Sequence, residues 1–171
     1  MVWSCLVSIL PGMAQTEKLT DYVNPFVGTD GYGNVYPGAQ IPFGGIQISP
    51  DTDSRFYDAA SGYKYNHLTL MGFSLTHLSG TGIPDLGDFL FIPGTGEMKL
   101  EPGTHEDPDQ GYRSRYSHDK EWASPNYYAV ELADYGVKAE MTSGVRSGMF
   151  RFTYPESDNA FIMIDICLLY T

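Results

Sequence analysis

Two runs near the end of the chain carry the clearest pattern of apolar and polar positions. Tyr128, Val130 and Leu132 alternate with Tyr127, Ala129 and Glu131; after Ala133-Asp134-Tyr135-Gly136, Val137, Ala139 and Met141 alternate with Lys138 and Glu140. Successive side chains of an extended strand point to opposite faces, so period two on both arms predicts a hairpin with one apolar face. Phe150, Phe152 and Tyr154 continue the period against Arg151 and Thr153, and a turn is predicted over 155–159. Residues 160–166 are apolar on both faces apart from Asp165, the pattern of a strand covered from both sides within a sheet stack.

Upstream the strands are shorter. Residues 41–49 predict a first core strand, with Phe43, Ile46 and Ile48 around a Gly44-Gly45 bulge, stopped by the turn residues of 49–53. Further strands are predicted over 69–74 and 87–92, separated by a glycine-rich turn. The 19 glycines and 11 prolines interrupt the chain too often for long helices, and 13 tyrosines with 9 phenylalanines favour strands, so the predicted class is all-β. Residues 21–37 read as a loop. Residues 93–124, broken by glycine and proline and carrying Glu97, Glu101, Glu106, Asp107 and Asp109, read as a solvated connection, because they lack the regular carboxylate spacing of a calcium loop.

The turn between the two central strands holds the chemistry. His77, Leu78, Ser79, Gly80, Thr81 and Gly82 lead into Pro84, Asp85, Leu86, Gly87 and Asp88. Hydroxyl donors, carboxylate acceptors and one imidazole within twelve residues are the mixture that grips a polyhydroxylated ligand. The alternative is that Thr81, Asp85 and Asp88 satisfy only the backbone of the turn. His77 has no histidine or carboxylate at i+2 or i+4, which speaks against zinc, and in a sugar site it would serve as a fixed donor. The GTDGYG run (28–33) lacks the preceding strand and following Lys-Ser/Thr of a phosphate loop.

A chain of 171 residues suits one domain. Its net charge of −11 repels phosphate backbones and anionic membrane surfaces, so no nucleic-acid partner is expected. The abundant tyrosine suits stacking on sugar rings, and equally suits a packed β core. Residues 1–15 form a short apolar run ending in small residues, the hydrophobic and cleavage regions of a secretory signal peptide without its positive start. The run is too short to span a bilayer, so no membrane span is expected. A loose lipobox at Val2-Trp3-Ser4-Cys5 leaves a lipid anchor as an alternative. The expected location is periplasmic or extracellular.

Four segments stand in a recognisable order: VNPFVGTDGYGNVYPGAQIPFGGIQISPDT (23–52), ASGYKY (60–65), the LSGTG turn, and YSHDKEWASPNYYAVELADYGVKAEMT (116–142). Together they resemble the amino-terminal domain of glycoside hydrolase family 92, the calcium-dependent exo-acting α-mannosidases, over residues 22–166. The resemblance implies an antiparallel β-sandwich spanning 20–166. It also implies that a helical (α/α)6 barrel, absent from this chain, carries the catalytic acid and base and the calcium ligands of an inverting hydrolase. No catalytic residue and no metal ligand is therefore expected here, and the fragment alone is expected to be inactive. Tyr57, Asp58 and Tyr63 are implied pocket residues beside His77, Ser79, Thr81 and Asp85, with mannose-containing glycans as partners. The chain departs from the family with Asn34 where a histidine is usual, Tyr57 where tryptophan is frequent, and Ala60 where cysteine is frequent; the smaller Tyr57 ring bears on linkage preference. Residues 167–171, CLLYT, leave the family pattern and match a translated sequencing-library transposon end; without them and the leader no cysteine remains for a disulfide. The alternatives are a free-standing carbohydrate-binding module and a purely structural surface domain.

Overall fold

The computed structural model describes residues 17–53, 57–83 and 87–166. The expected leader, Asp85 and residues 167–171 lie outside the described residues. The described chain is all-β: ten strands, all paired antiparallel, with four short 3-10 turns and no α-helix among the described residues.

The strands are β1 (Ser49–Asp51), β2 (Thr69–Leu70), β3 (Gly72–Ser74), β4 (Leu90–Thr95), β5 (Ser114–Arg115), β6 (Glu121–Ser124), β7 (Tyr127–Leu132), β8 (Val137–Ser143), β9 (Gly148–Thr153) and β10 (Ala160–Asp165). One four-stranded sheet runs β1-β3-β4-β10, a second runs β6-β7-β8-β9, and β2 pairs with β5 as a short ribbon. The predicted hairpin is β7–β8, with Tyr128 opposite Met141 and Val130 opposite Ala139. It is extended at its start by a two-residue turn, where Asn126 takes the left-handed φ of 60° and its amide holds Ser143 at both oxygen and nitrogen. Asparagine tolerates that conformation, which is why the turn closes without a glycine.

The inner faces of the two larger sheets meet in one core. Ile48, Leu70 and Phe73 from the first side pack with Tyr128, Val130, Leu132, Ala139 and Met141 from the second. Ring pairs cross the gap, Phe73 to Phe152 at 6.1 Å and Phe91 to Phe150 at 5.0 Å between centroids. This is a sandwich, in which each sheet covers the apolar face of the other.

Four expectations are corrected. Residues 41–47 are not a strand: Gly44 N–H donates to the Ile41 carbonyl and Gly45 N–H to the Val145 carbonyl, closing a turn, and Phe43 sits at its tip with φ 59° and a fully exposed ring. Only Ile48 joins the sheet region, through a bridge to Ala39, and β1 begins at Ser49, where a stop was expected. The strand expected over 69–74 divides at Met71, its first half pairing with β5 and its second with β1 and β4. β4 starts at Leu90 because Gly87 and Asp88 both have positive φ. Residues 93–124 are not simply solvated, since Tyr112, Arg113 and Tyr116 are buried there. Arg113, at 2% exposure, donates from Nη1 to the Thr52 carbonyl and the Thr69 hydroxyl, and those bonds are what permit a guanidinium inside.

β10 differs as well. It was expected inside a sheet stack; among the described residues it ends its sheet beside β4, and Ile162 and Ile164 are each 53% exposed. Its other face, through Met163, packs on Leu90, Ile92, Met71 and Tyr112. No helix among the described residues is long and apolar enough to cross a membrane.

Phe43 supplies a prediction. A bulky side chain in the left-handed region costs about 1–2 kcal/mol, whereas asparagine is tolerated there. Phe43→Asn loses no buried contact and is expected to stabilise the chain by about 0.5–1 kcal/mol, read as a higher urea midpoint. A lower midpoint would mean that the ring is packed in solution.

Candidate functional site

Three loops converge beside β1: 28–36, 57–65 and 77–83. Tyr65 N–H donates to the Thr29 carbonyl at 2.9 Å, Lys64 Nζ donates to the Gly31 carbonyl at 2.9 Å, and Gly80 N–H donates to the Asn34 carbonyl at 2.7 Å. The 28–36 loop is thus tied to both of the others through its own carbonyls. Gly28, Gly31 and Asn34 in this loop have positive φ, the conformation that glycine and asparagine tolerate.

The outer surface of these loops is aromatic and hydroxylic. Tyr57, in the 3-10 turn Tyr57–Ala59 that also contains Asp58, is 73% exposed; Tyr32 is more exposed still, with Lys64 Nζ 5.8 Å from its ring centre. Ser79 is exposed and makes no hydrogen bond recorded among the described residues, whereas Thr81 Oγ1 accepts from Ile83 N–H at 3.2 Å and so caps its own turn. Asp88 accepts from the Thr76 hydroxyl, a side-chain partner and not the turn backbone named in the alternative reading.

Two of the expected pocket residues are interior. Tyr63 is buried, and its hydroxyl lies 3.0 and 3.1 Å from the two oxygens of Glu121. Burial, with Tyr116 and Glu121 nearby, raises its pKa far above the ordinary range, so it is a neutral donor inside the core and does not line the surface. His77 is also buried. Its Nδ1 lies 2.7 Å from the Gln47 carbonyl, and its Nε2 lies 2.9 Å from Asp51 Oδ1 and 3.0 Å from Ser74 Oγ. The Tyr36 ring packs on it at 5.1 Å, with its hydroxyl pushed up to about 12 by burial and donated to Gln40.

A carbonyl and a carboxylate on opposite nitrogens both favour a proton on the ring, so the protonated form of His77 is stabilised. Burial pushes its pKa down, but Asp51, the Gln47 carbonyl and the more distant Asp88 together outweigh burial and leave it raised. Because the folded value lies above the unfolded one, near 6.5, this contribution is complete below that pH and fades as pH rises through the folded value. Stability is therefore expected to decline as pH rises above the unfolded value, and His77→Gln to remove that part of the slope in urea titrations run upward from about pH 6.5. Identical slopes would contradict the ion pair.

The partners of His77 were missed by sequence reasoning, although Asp51 lies within the quoted IQISPDT segment. Asn34 Oδ1, Ser61 Oγ and Asp51 Oδ2 are buried without a hydrogen-bond partner among the described residues, polar atoms of the kind that water or a ligand hydroxyl satisfies. Among the described residues, no group of three or more His, Cys, Asp or Glu side chains is placed to hold a metal ion.

The model of the glycosyl hydrolase family 92 N-terminal domain matches residues 22–170. The chain belongs to this family. It is similar to the solved structure of a family GH92 α-mannosidase from Bacteroides thetaiotaomicron, 99% identical with a TM-score of 0.87 over 88% of this chain; that enzyme has also been solved in complex with mannoimidazole. An inverting family GH92 mannosidase from the same organism aligns at 29% identity and a TM-score of 0.70, again over 88% of this chain. An uncharacterised secreted glycosidase of Arthroderma benhamiae is 30% identical over 139 residues, 80% of this chain. The chain spans only 20% of each of those two solved chains and 17% of the fungal sequence. In this family 92 domain, then, the three loops carry Tyr57 and Ser79 outward and Thr81 half-buried, while Tyr63 and His77 are buried.

Proposed function

We propose that this chain is the substrate-recognising amino-terminal part of an exported α-mannosidase that hydrolyses terminal α-mannosides of glycans, and that its three converging loops form one wall of the sugar pocket. The reading rests on the 99% identity, over 88% of the chain, to an α-mannosidase of the same family. Export is supported by the secreted fungal relative and by the composition of residues 1–15.

The residues on this wall bind and orient. Tyr57 and Tyr32 offer ring faces to the apolar face of a pyranose, and the Ser79 hydroxyl offers a donor and acceptor to sugar hydroxyls. Inverting hydrolysis needs a general acid at the leaving oxygen and a base about 6.5–9.5 Å away, with room for water. Those groups, and the ligands of a calcium ion that would help to hold the sugar, are assigned to the remainder of the longer protein. The half-exposed Ile162 and Ile164, with Ile166 beyond them, fit a face that another part of such a protein covers better than the finished surface of a free-standing module.

The test compares mannose release from an aryl α-mannoside and a mannobiose by the full-length enzyme and by the 171-residue chain. Release by the former and none by the latter is expected. A full-length protein that releases no mannose would overturn the reading.

A further inference from the structure

His77 stands where all three loops of the site meet. From the 28–36 loop, the Tyr36 ring lies against its imidazole at 5.1 Å. From the 57–65 loop, Gly62 passes so close that a Cβ there would fall 2.1 Å from Asp51 Oδ1 and 2.9 Å from His77 Cδ2; its φ of +86° suits glycine in any case. In the 77–83 turn, His77 itself is followed by Ser79, Gly80 and Thr81, with Gly80 docked on the Asn34 carbonyl. Below the loops, Asp51 belongs to β1 and Ser74 to β3, so the ring is fastened to the sheet at two points and to the chain before β1 through Gln47. Its side chain is 3% exposed, and each nitrogen already faces a protein acceptor, so it has neither surface nor a spare proton for a sugar.

We propose that His77 is a positioning residue of the sugar site: clamped between Asp51, Ser74 and the Gln47 carbonyl, it sets the Gly62 corner and the Ser79–Thr81 turn at the distances from which they meet a mannoside. The proposal rests on the functional reading above and departs from a role for His77 as a direct sugar donor. The charged groups around the ring are Asp51 from β1 and, further off, Asp88 after the turn; Tyr36 is the titratable group of the neighbouring loop. No cation faces it among these.

Two measurements on the full-length enzyme test it. With ¹⁵N-labelled histidine, His77 in the folded enzyme is expected to lose its second ring proton at a higher pH than in the urea-unfolded chain; loss at the same or a lower pH overturns the clamp. In kinetics, His77→Gln is expected to lower kcat/KM on an α-mannoside at least tenfold with circular dichroism unchanged. The double variant D51N/H77Q, which replaces the ion pair by an amide pair, is expected to recover part of that loss. Unchanged kcat/KM in H77Q, or a double variant worse than the single, overturns the proposal. Should H77Q fail to fold, Ser74→Ala removes one anchor of three; a loss of about threefold supports the clamp and no loss overturns it. The ring measurement needs no sugar, and mannose release by the unaltered enzyme tests the functional reading, so either can fail without the other.

Discussion

Glu121→Ala is expected to cost about 3–5 kcal/mol, the range seen when a buried charge network loses one partner. The Glu121 side chain is 1% exposed. It accepts from the Tyr63 and Tyr128 hydroxyls, and one of its oxygens lies 2.6 Å from His118 Nδ1. The other nitrogen of His118 lies 2.8 Å from the Tyr65 carbonyl, and its ring is stacked on Tyr65 at 3.9 Å. Tyr116 extends the network, donating to the His67 carbonyl at 2.8 Å. Alanine removes the acceptor shared by the Tyr63 and Tyr128 hydroxyls and faced by His118 Nδ1, in addition to opening a cavity. Because a domain of this size is stable by only about 5–15 kcal/mol, the variant is expected to unfold at a markedly lower urea concentration, with Glu121→Gln losing less because it keeps one acceptor. A loss under about 1 kcal/mol would mean that water already reaches the network.

Gly38→Ala is expected to be comparably damaging for a different reason. A Cβ at that position would fall 2.0 Å from the Ile48 carbonyl oxygen and 2.5 Å from Ser49 Cα, so backbone, not a flexible side chain, must move. Those atoms belong to the Ala39–Ile48 bridge and to the start of β1, the strand that carries Asp51 to His77. Overpacking costs about 1–3 kcal/mol where side chains can yield, and about 3 kcal/mol or more is expected here. At about 2–4 °C per kcal/mol, the thermal midpoint should fall by roughly 6 °C or more. A variant within a degree of the parent would show that this bridge is not maintained in solution.

The parts legible in the sequence were those whose pattern is local. The β7–β8 hairpin announced itself because one face is packed on the core and the other is wet, which writes period two directly into the residues. Residues 41–49 misled because Phe43 and Ile46 look like core side chains, while Gly44 and Gly45 turn the backbone and leave Phe43 outside. The three-loop site was half legible. Glycine density marked the LSGTG turn and the GTDGYG loop as ordered, and Tyr57 and Ser79 are exposed while Thr81 is half-buried. Ser74 is local, but Asp51 and the Gln47 carbonyl lie 26 and 30 positions from His77, and nothing local told a buried imidazole from an exposed donor. Tyr63 was misjudged in the same way, because its acceptor, Glu121, is 58 positions distant. Arg113 and Tyr112, set in an acidic and glycine-broken stretch, carried no sign of burial, which their long-range bonds alone provide.

The two large sheets also differ in how far along the chain their neighbours lie. β6, β7, β8 and β9 are a meander in which each strand pairs with the next, so every pairing closes a short loop. In the other sheet, β4 must wait for β10, and β1 and β3 must be joined across the 57–65 loop. Short closures surrender little chain entropy before contacts repay it, and long ones surrender more. The meander is therefore expected to form first and to present Tyr128, Val130 and Met141 as the template on which the first sheet assembles. Pulse-labelled amide exchange should find β7 and β8 protected before β4 and β10. The three loops around His77, tied down only when β1 brings Asp51 beneath it, would then be the last part of the molecule to acquire their shape.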